Sequence, residues 1–279
     1  MLHVKIISMV DRFCCDAICL RVIEFSETSQ IVSLFTPDHG IVSMIAKGIR
    51  RIPKKTSAPL MAPLDILSAG QVVFIPSRHP GQLATLTAWD VTNHRPELRR
   101  NLEKILAGEL LAEVTLAAWA AEDASKDVFH QLGKALDELS QSASMRIVVS
   151  YLKHLLAAAG YALDFSLCTH CRKPLGDHGN LLRGAAGLFC DRCGVSGRLA
   201  RADRRVLAAL QRLAPPDQLT PHAPGAQPDA GALLQAAQLL ICHLRLVLDH
   251  DLHFDGYLRD IFQFPAGSAL RQVYAHAAG

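Results

Sequence analysis

Short runs rich in Val, Ile and Phe fill the first part of the chain: Ala17 to Phe25, Gln30 to Thr36, Ile41 to Lys47, Leu60 to Leu67, Gln71 to Ile75 and Leu83 to Trp89. Their length, and the Gly or Pro signals at most junctions, predict strands. The clearest turn is Thr36-Pro37-Asp38-His39-Gly40, where Pro presets φ and Gly accepts positive φ. No long helical pattern interrupts the runs, which argues against parallel βαβ units and for a small antiparallel barrel.

The period changes at Asn93-His94-Arg95-Pro96. From Glu97, the apolar residues Leu102, Ile105, Leu106, Leu110 and Val114 recur at helical spacing with Glu103, Glu109 and Glu113 among them. Further helices are predicted over 123–140 and 144–159, the second stopped by Gly160, and then over Ala202 to Leu213 and 232–248. The stretch 214–231, with five Pro and two Gly, predicts an irregular loop. The expected fold class is α+β: an N-terminal antiparallel β-barrel over 1–92, a helical domain in two parts (93–165 and 201–279), and a cysteine module at 166–200 between them.

Composition sharpens this in two ways. Half of the residues are hydrophobic and 20% are charged, enough apolar side chain for a real core. The charge-free stretches 66–77 and 231–244 carry polar residues and fall short of the roughly 20 apolar residues of a membrane span. No secretory-signal pattern opens the sequence, so the expectation is a soluble, cytoplasmic protein with no membrane partner.

Four of the eight cysteines form Cys168-x2-Cys171-x18-Cys190-x2-Cys193. Zn²⁺ favours tetrahedral thiolate coordination, and each C-x2-C turn presents two sulfurs to one ion. Four sulfurs leave no open position, so the expected zinc is structural. His170 and His178 are substitute ligands of second rank, and free thiols or a redox pair are the metal-free alternatives. Cys14, Cys15, Cys19 and Cys242 read most simply as core thiols.

The formal net charge of +3 hides a strong local excess: residues 166–213 hold nine Lys/Arg against three Asp/Glu. Within it lie Arg198, Arg201, Arg204 and Arg205. A second basic run, Lys47-Gly48-Ile49-Arg50-Arg51-Ile52-Pro53-Lys54-Lys55, has five cations in nine residues and no acid. Both are candidate polyanion surfaces, and Lys47, Arg50, Arg51, Lys54 and Lys55 suit contact with a phosphate backbone. A solvated face is the plainer alternative for either.

Catalytic patterns are missing. No Walker A loop, no G-x-S-x-G elbow and no His-x-Glu occur, so nucleotide hydrolysis, α/β-hydrolase chemistry and zinc deamination are not indicated and the expectation is a non-enzyme. His243, His250 and His253 with Asp249 and Asp251 could hold a metal but read more simply as helix-end residues. Phe74 and Trp89 could stack bases or fill the barrel.

The ordered set of Glu27-Thr28-Ser29, Ile31 to Thr36, His39-Gly40, Lys47 to Arg51, Leu83 to Thr87, Leu155-Leu156, Gly160 to Leu163 and Gly187-Leu188-Phe189-Cys190 resembles the RecO family of bacterial recombination mediators. The resemblance spans most of the chain. Ser26 stands where the family often has Gly, and the C-terminal His-rich pattern is only loosely echoed in Leu248 to Asp251.

The resemblance implies an OB fold, then a helical domain with a zinc-finger-like insertion. It implies binding of single- and double-stranded DNA, annealing of complementary strands, and loading of the recombinase with RecR onto strands coated by single-strand-binding protein, whose acidic C-terminal tail is contacted. Lys47, Arg50, Arg51, Lys54 and Lys55 would serve one DNA surface. Arg198, Arg201, Arg204 and Arg205 would serve another, or would receive the acidic tail. The runner-up is a zinc-ribbon RNA-binding accessory protein of transcription or translation.

Overall fold

The structure, a computed structural model, describes residues 12–49, 64–77, 79, 81–213, 229–248 and 252. The chain divides into two compact units. One holds the described residues up to His94 together with Ala120–Phe129, and the other holds Arg95–Trp119 and the chain from His130 onward.

The first unit is built on five strands: β1 (Phe13–Ser26), β2 (Ser29–Thr36), β3 (Gly40–Ala46), β4 (Ala69–Ile75) and β5 (Ala84–Asn93). They close into a barrel in the order β1-β2-β3-β5-β4, with every pair antiparallel except β3 with β5. This is an OB-like arrangement, and closure leaves little free sheet edge. Alternation sends Ala17, Cys19, Val32, Leu34, Val42, Met44, Val72, Phe74, Leu86 and Trp89 into one buried core. Phe74 and Trp89 therefore fill the barrel.

A bulge resets the alternation in β1. Cys19 pairs with Leu34 and Arg21 with Ser33, so Leu20 is the extra residue. Beyond it Val22 turns inward, while Arg21, Ile23 and Phe25 face outward.

The strand expected at Leu60 to Leu67 is corrected where it is described. Residues 64–68 are not strand: Ile66-Leu67 form a turn closed by Ser68 N donating to Asp65 O (3.3 Å), with Leu67 at φ 66°. Leu67 N donates to Cys19 O (2.7 Å) and Cys19 N to Ser68 O (2.9 Å), so this turn runs directly into β4.

The β2–β3 turn forms as expected. Thr36 Oγ1 accepts from His39 N (3.1 Å) and donates to Gly40 O (3.1 Å). Segment 120–123 lies against it: Ala121 bridges Ile41, and Glu122 N donates to Ile41 O (3.2 Å).

The second unit contains α1 (Pro96–Arg99), α2 (Leu102–Ala118), most of α3 (Lys126–Gln141), α4 (Met145–Ala158), α5 (Arg204–Arg212) and α6 (Ala230–Leu248). Asn101 caps α2 by accepting from Lys104 N, and Gly160 at φ 83° ends α4 as its sequence position predicts. Arg95 is buried and donates from Nε to Asp137 Oδ1 (2.7 Å). Leu110 and Val114 of α2, Leu152 and Leu155 of α4, and Leu240 and Leu244 of α6 are among its buried side chains. α4 packs against both α2 and α6. Inside this core Thr115 Oγ1 and Tyr151 OH share a 2.6 Å hydrogen bond. α6 is long and apolar enough to cross a membrane, but its apolar residues are largely buried, as in a core helix.

Three strands were not expected: β6 (His178–Leu182), β7 (Ala185–Phe189) and β8 (Arg198–Asp203), paired antiparallel in the order β7-β6-β8. The helix expected from Ala202 starts instead at Arg204. Asp203 caps it there, accepting from Arg205 N and Val206 N.

Candidate metal centre and nucleic-acid interface

The cysteine module is assembled by turns at both ends of the β6–β7 hairpin. Arg172 N donates to Cys168 O (2.9 Å) and Gly194 N to Cys190 O (2.8 Å), closing the two knuckles. Thr169 N donates to Leu188 O (2.8 Å), which draws the first knuckle onto β7. The approach needs Gly187: at φ 112°, a Cβ there would sit 2.2 Å from Thr169 Oγ1.

The result brings the Sγ atoms of Cys168, Cys171, Cys190 and Cys193 within 4.8 Å of one another. Four ligands at the usual Zn–S distance around a tetrahedral ion are separated by about 3.8 Å, so the thiols fit such an ion. Burial opposes ionisation of Cys168, but hydrogen bonds from the backbone of Cys171, Cys190 and His170 outweigh it and bring its pKa down to about 6. Cys190 is lowered by the backbone of Cys193. Cys193 is pushed up to about 12, first by its hydrogen bond to Cys190. A cation among the four sulfurs would relieve that competition.

Of the two substitute ligands, His178 is otherwise engaged, with Nδ1 3.2 Å from Asp191 Oδ2. Asp191, inside the second knuckle, also accepts from Asn180 Nδ2 (3.0 Å) and Arg201 Nη2 (3.2 Å). These hydrogen bonds hold its carboxyl below the usual range, that of Asn180 foremost.

The arginine cluster is partly neutralised. Arg201 pairs with Asp191, and Arg205 pairs with Asp203 (3.2 Å) and Asp229 (3.7 Å). Arg198 is exposed and donates to Gly194 O (3.2 Å), and Arg204 is exposed on α5. In the other cluster Lys47 is exposed directly after β3. Arg50, Arg51, Lys54 and Lys55 lie outside the described residues, as do His250, His253, Asp249 and Asp251.

Two further expectations change. Cys14 is exposed on β1, whereas Cys19 and Cys242 are buried. Cys15 is half-buried, and burial first, then nearby negative charge, pushes its thiol up to about 11. His243 is buried in α6, bonded to the Tyr161 carbonyl.

The outer face of β1–β3 carries groups that the sequence pattern does not single out. Ile23, Ile31 and Ile45 lie side by side across the three strands, with Arg21, Ser33 and Ser43 forming the adjacent row. Phe25 and Ile23 are 61% and 41% exposed, the largest outward apolar surface on the barrel strands. Lys47 is exposed just past the end of β3, two residues after Ile45. One signal does point to this face: β1 carries apolar residues on both parities, which an uninterrupted strand with one wet face would not.

A closed OB-like barrel followed by a helical unit with a four-thiol module defines the class of protein. The N-terminal model of recombination protein O matches residues 9–95, and the C-terminal model matches residues 99–253. The chain belongs to the RecO family of DNA repair proteins. It is 30% identical over 253 residues to DNA repair protein RecO of Synechococcus sp. strain JA-2-3B'a(2-13), covering 86% of this chain and 84% of that one. It is 29% identical over 222 residues to that of Rhodopirellula baltica, covering 76% and 79%.

Proposed function

We propose that this chain is a recombination mediator. It binds single- and double-stranded DNA, anneals complementary strands, and acts with RecR to load the recombinase onto strands coated by single-strand-binding protein. The observation that carries this is the outer face of β1–β3, where exposed Phe25 and the Ile23-Ile31-Ile45 row adjoin Arg21, with Lys47 exposed just past the end of β3. An exposed aromatic ring stacks bases of any sequence, aliphatic neighbours pack against their apolar faces, and nearby cations hold the backbone.

Annealing needs no bond made or broken by the protein. Two strands repel through their phosphates, and their bases are hidden by the coating protein. Arg21, Lys47, Arg50, Arg51, Lys54 and Lys55 screen that repulsion while base edges stay free to pair. Arg198 and Arg204 offer a second cationic surface for another strand or for the acidic tail of the coating protein. The four cysteines hold a structural zinc, which fixes β6–β8 and with them these arginines. Such work is done in the cytoplasm, at the nucleoid.

The test is the annealing rate of complementary strands coated with the cognate single-strand-binding protein. Acceleration without nucleotide is expected, stronger with RecR. No acceleration in either case overturns the proposal. Changing Lys47, Arg50, Arg51, Lys54 and Lys55 together to Gln should flatten the salt dependence of DNA binding by roughly 0.7–0.9 for each phosphate no longer neutralised.

A further inference from the structure

A cavity of about 850 Å³ opens at the end of the barrel where β1 begins and β4 ends. β3 and β5 pair only from Met44–Ala84 to Ala46–Leu86, so the earlier residues Ile41 to Ser43 line an opening instead of a ladder. Its wall holds three rings. Phe13 and His39 have centroids 4.5 Å apart, and Phe74 stands 5.6 Å from each. Phe13 and Leu83, also lining, are more than a third exposed, so the aromatic surface is reachable from solvent.

The polar lining mixes Ser43, Ser77, His79 and Gln82, which can donate or accept, with two acids and, among the described residues, no Lys or Arg. Asp38 and Glu122 contribute carboxylates, which only accept hydrogen bonds when ionised. Asp38 is tied to Lys126 Nζ at 3.0 Å. Glu122 sits at φ 63°, a conformation that costs a non-glycine residue energy, and its N–H bond to Ile41 O keeps it at the wall. Carboxylates in an aromatic cavity repel phosphate but accept from an amine on a flat ring. Ser43 belongs to both places: it lines the cavity and stands in the Arg21-Ser33-Ser43 row of the outer face.

We propose that this cavity receives one unstacked nucleobase bearing an exocyclic amine, taken from the strand that lies on the outer face. The inference rests on the DNA-binding reading above and deepens it. Phe13 and His39 stack the ring, Glu122 accepts from the amine, and the phosphates stay outside over Ser43. Capturing a base singly interrupts strand stacking and fixes the register of the bound strand.

The experiment measures affinity for cytosine and thymine homopolymers and for an abasic strand of equal length, with wild type, Phe13→Ala, His39→Ala, Glu122→Gln and Phe25→Ala. Free deoxycytidine is titrated in parallel while the His39 ring resonances are followed by NMR. Phe13→Ala and His39→Ala are each expected to weaken binding of base-bearing strands about tenfold, leaving the abasic strand unaffected. Wild type should favour cytosine over thymine, and Glu122→Gln should level the two. Deoxycytidine should shift the His39 resonances.

Equal affinity of Phe13→Ala and wild type for cytosine strands, with Phe25→Ala weakened, overturns the cavity proposal alone and leaves the pocket to a protein side chain. So does equal weakening toward base-bearing and abasic strands, or equal wild-type affinity for cytosine and thymine. Failure of wild type to bind any strand overturns the DNA-binding reading along with it.

Discussion

The Sγ atoms of Cys171 and Cys190 stand 3.9 Å apart, one from each knuckle. The apolar packing beneath these turns is small: Leu175, Leu181, Leu188 and Leu207 are buried, but β6–β8 are strands of only five, five and six residues. Metal binding in comparable modules contributes about 10 kcal/mol or more, far above what a three-stranded sheet of this size supplies. One zinc per chain is therefore expected by native mass spectrometry. Cys171→Ser or Cys190→Ser should lose it, and chelation should lower the melting temperature of wild type but not of either variant. A metal-free wild type insensitive to chelator would contradict the assignment.

Phe25 projects from a barrel whose core is already filled, and no packing role explains its 61% exposure. Phe25→Ala should leave the urea midpoint within about 0.5 kcal/mol of wild type, as for surface changes generally. Single-strand affinity should fall by about 1–3 kcal/mol, the cost of removing one stacking platform. Lys47→Gln should act differently, weakening all sequences evenly and reducing the salt slope. Unaltered affinity in Phe25→Ala would remove the outer face from the binding site.

How much is legible in the chain follows from what holds each element. The barrel strands are plain because Val, Ile and Phe recur there in short runs bounded by Gly and Pro, whereas Ile147-Val148-Val149 of α4 sit in a helical period. The cysteine spacing is equally plain because metal ligands must recur at fixed intervals. β6–β8 are not legible: the helical pattern read from Ala202 runs two residues into β8, where pairing with β6 keeps Ala202 and Asp203 extended until Asp203 caps α5. The outer-face patch follows from the Leu20 bulge and a second irregularity at Glu24/Ser26, which place Ile23 and Phe25 on the wet side and leave apolar residues on both parities of β1 as their only trace in the sequence. Pairing of Arg201 and Arg205 with acids is a tertiary fact, beyond any count of charges.

Gly40 ends the β2–β3 turn at φ 63°, and a Cβ there would lie 2.3 Å from Asp123 O. Gly40→Ala therefore meets both backbone strain and a clash with the segment seated on Ile41. A loss of about 2 kcal/mol or more is expected in urea unfolding, with faster hydrogen exchange at the Glu122 amide. Gly40→Asn separates the causes, since Asn tolerates the left-handed region but carries the same Cβ. It should be nearly as destabilising, and a neutral Asn variant would show that the close approach to Asp123 has no energetic weight.

His243 gives stability a specific acid limit. Its Nε2 lies 3.0 Å from the Tyr161 carbonyl, so the neutral ring donates there, and Nδ1 is buried with no hydrogen-bond partner among the described residues. Protonating Nδ1 would bury an uncompensated charge, and burial lowers the pKa below 6.5 despite the opposing carbonyl. Below about pH 6.5 the unfolded chain takes up a proton that the folded chain refuses, so stability is full above that pH and falls as pH drops toward the folded pKa. Glu109 and Glu138, raised by burial, act with the opposite sign and gain stability as pH falls, so total stability alone does not isolate the histidine. His243→Gln keeps an N–H for Tyr161 and cannot titrate. Between pH 7.5 and 5.5 wild type should lose more stability than His243→Gln, by up to about 1.4 kcal/mol for each pH unit inside the window. Parallel urea midpoints for the two proteins would mean that His243 is protonated as readily in the fold as outside it, and the buried Nδ1 would then need a partner or a buried water to receive its proton's charge.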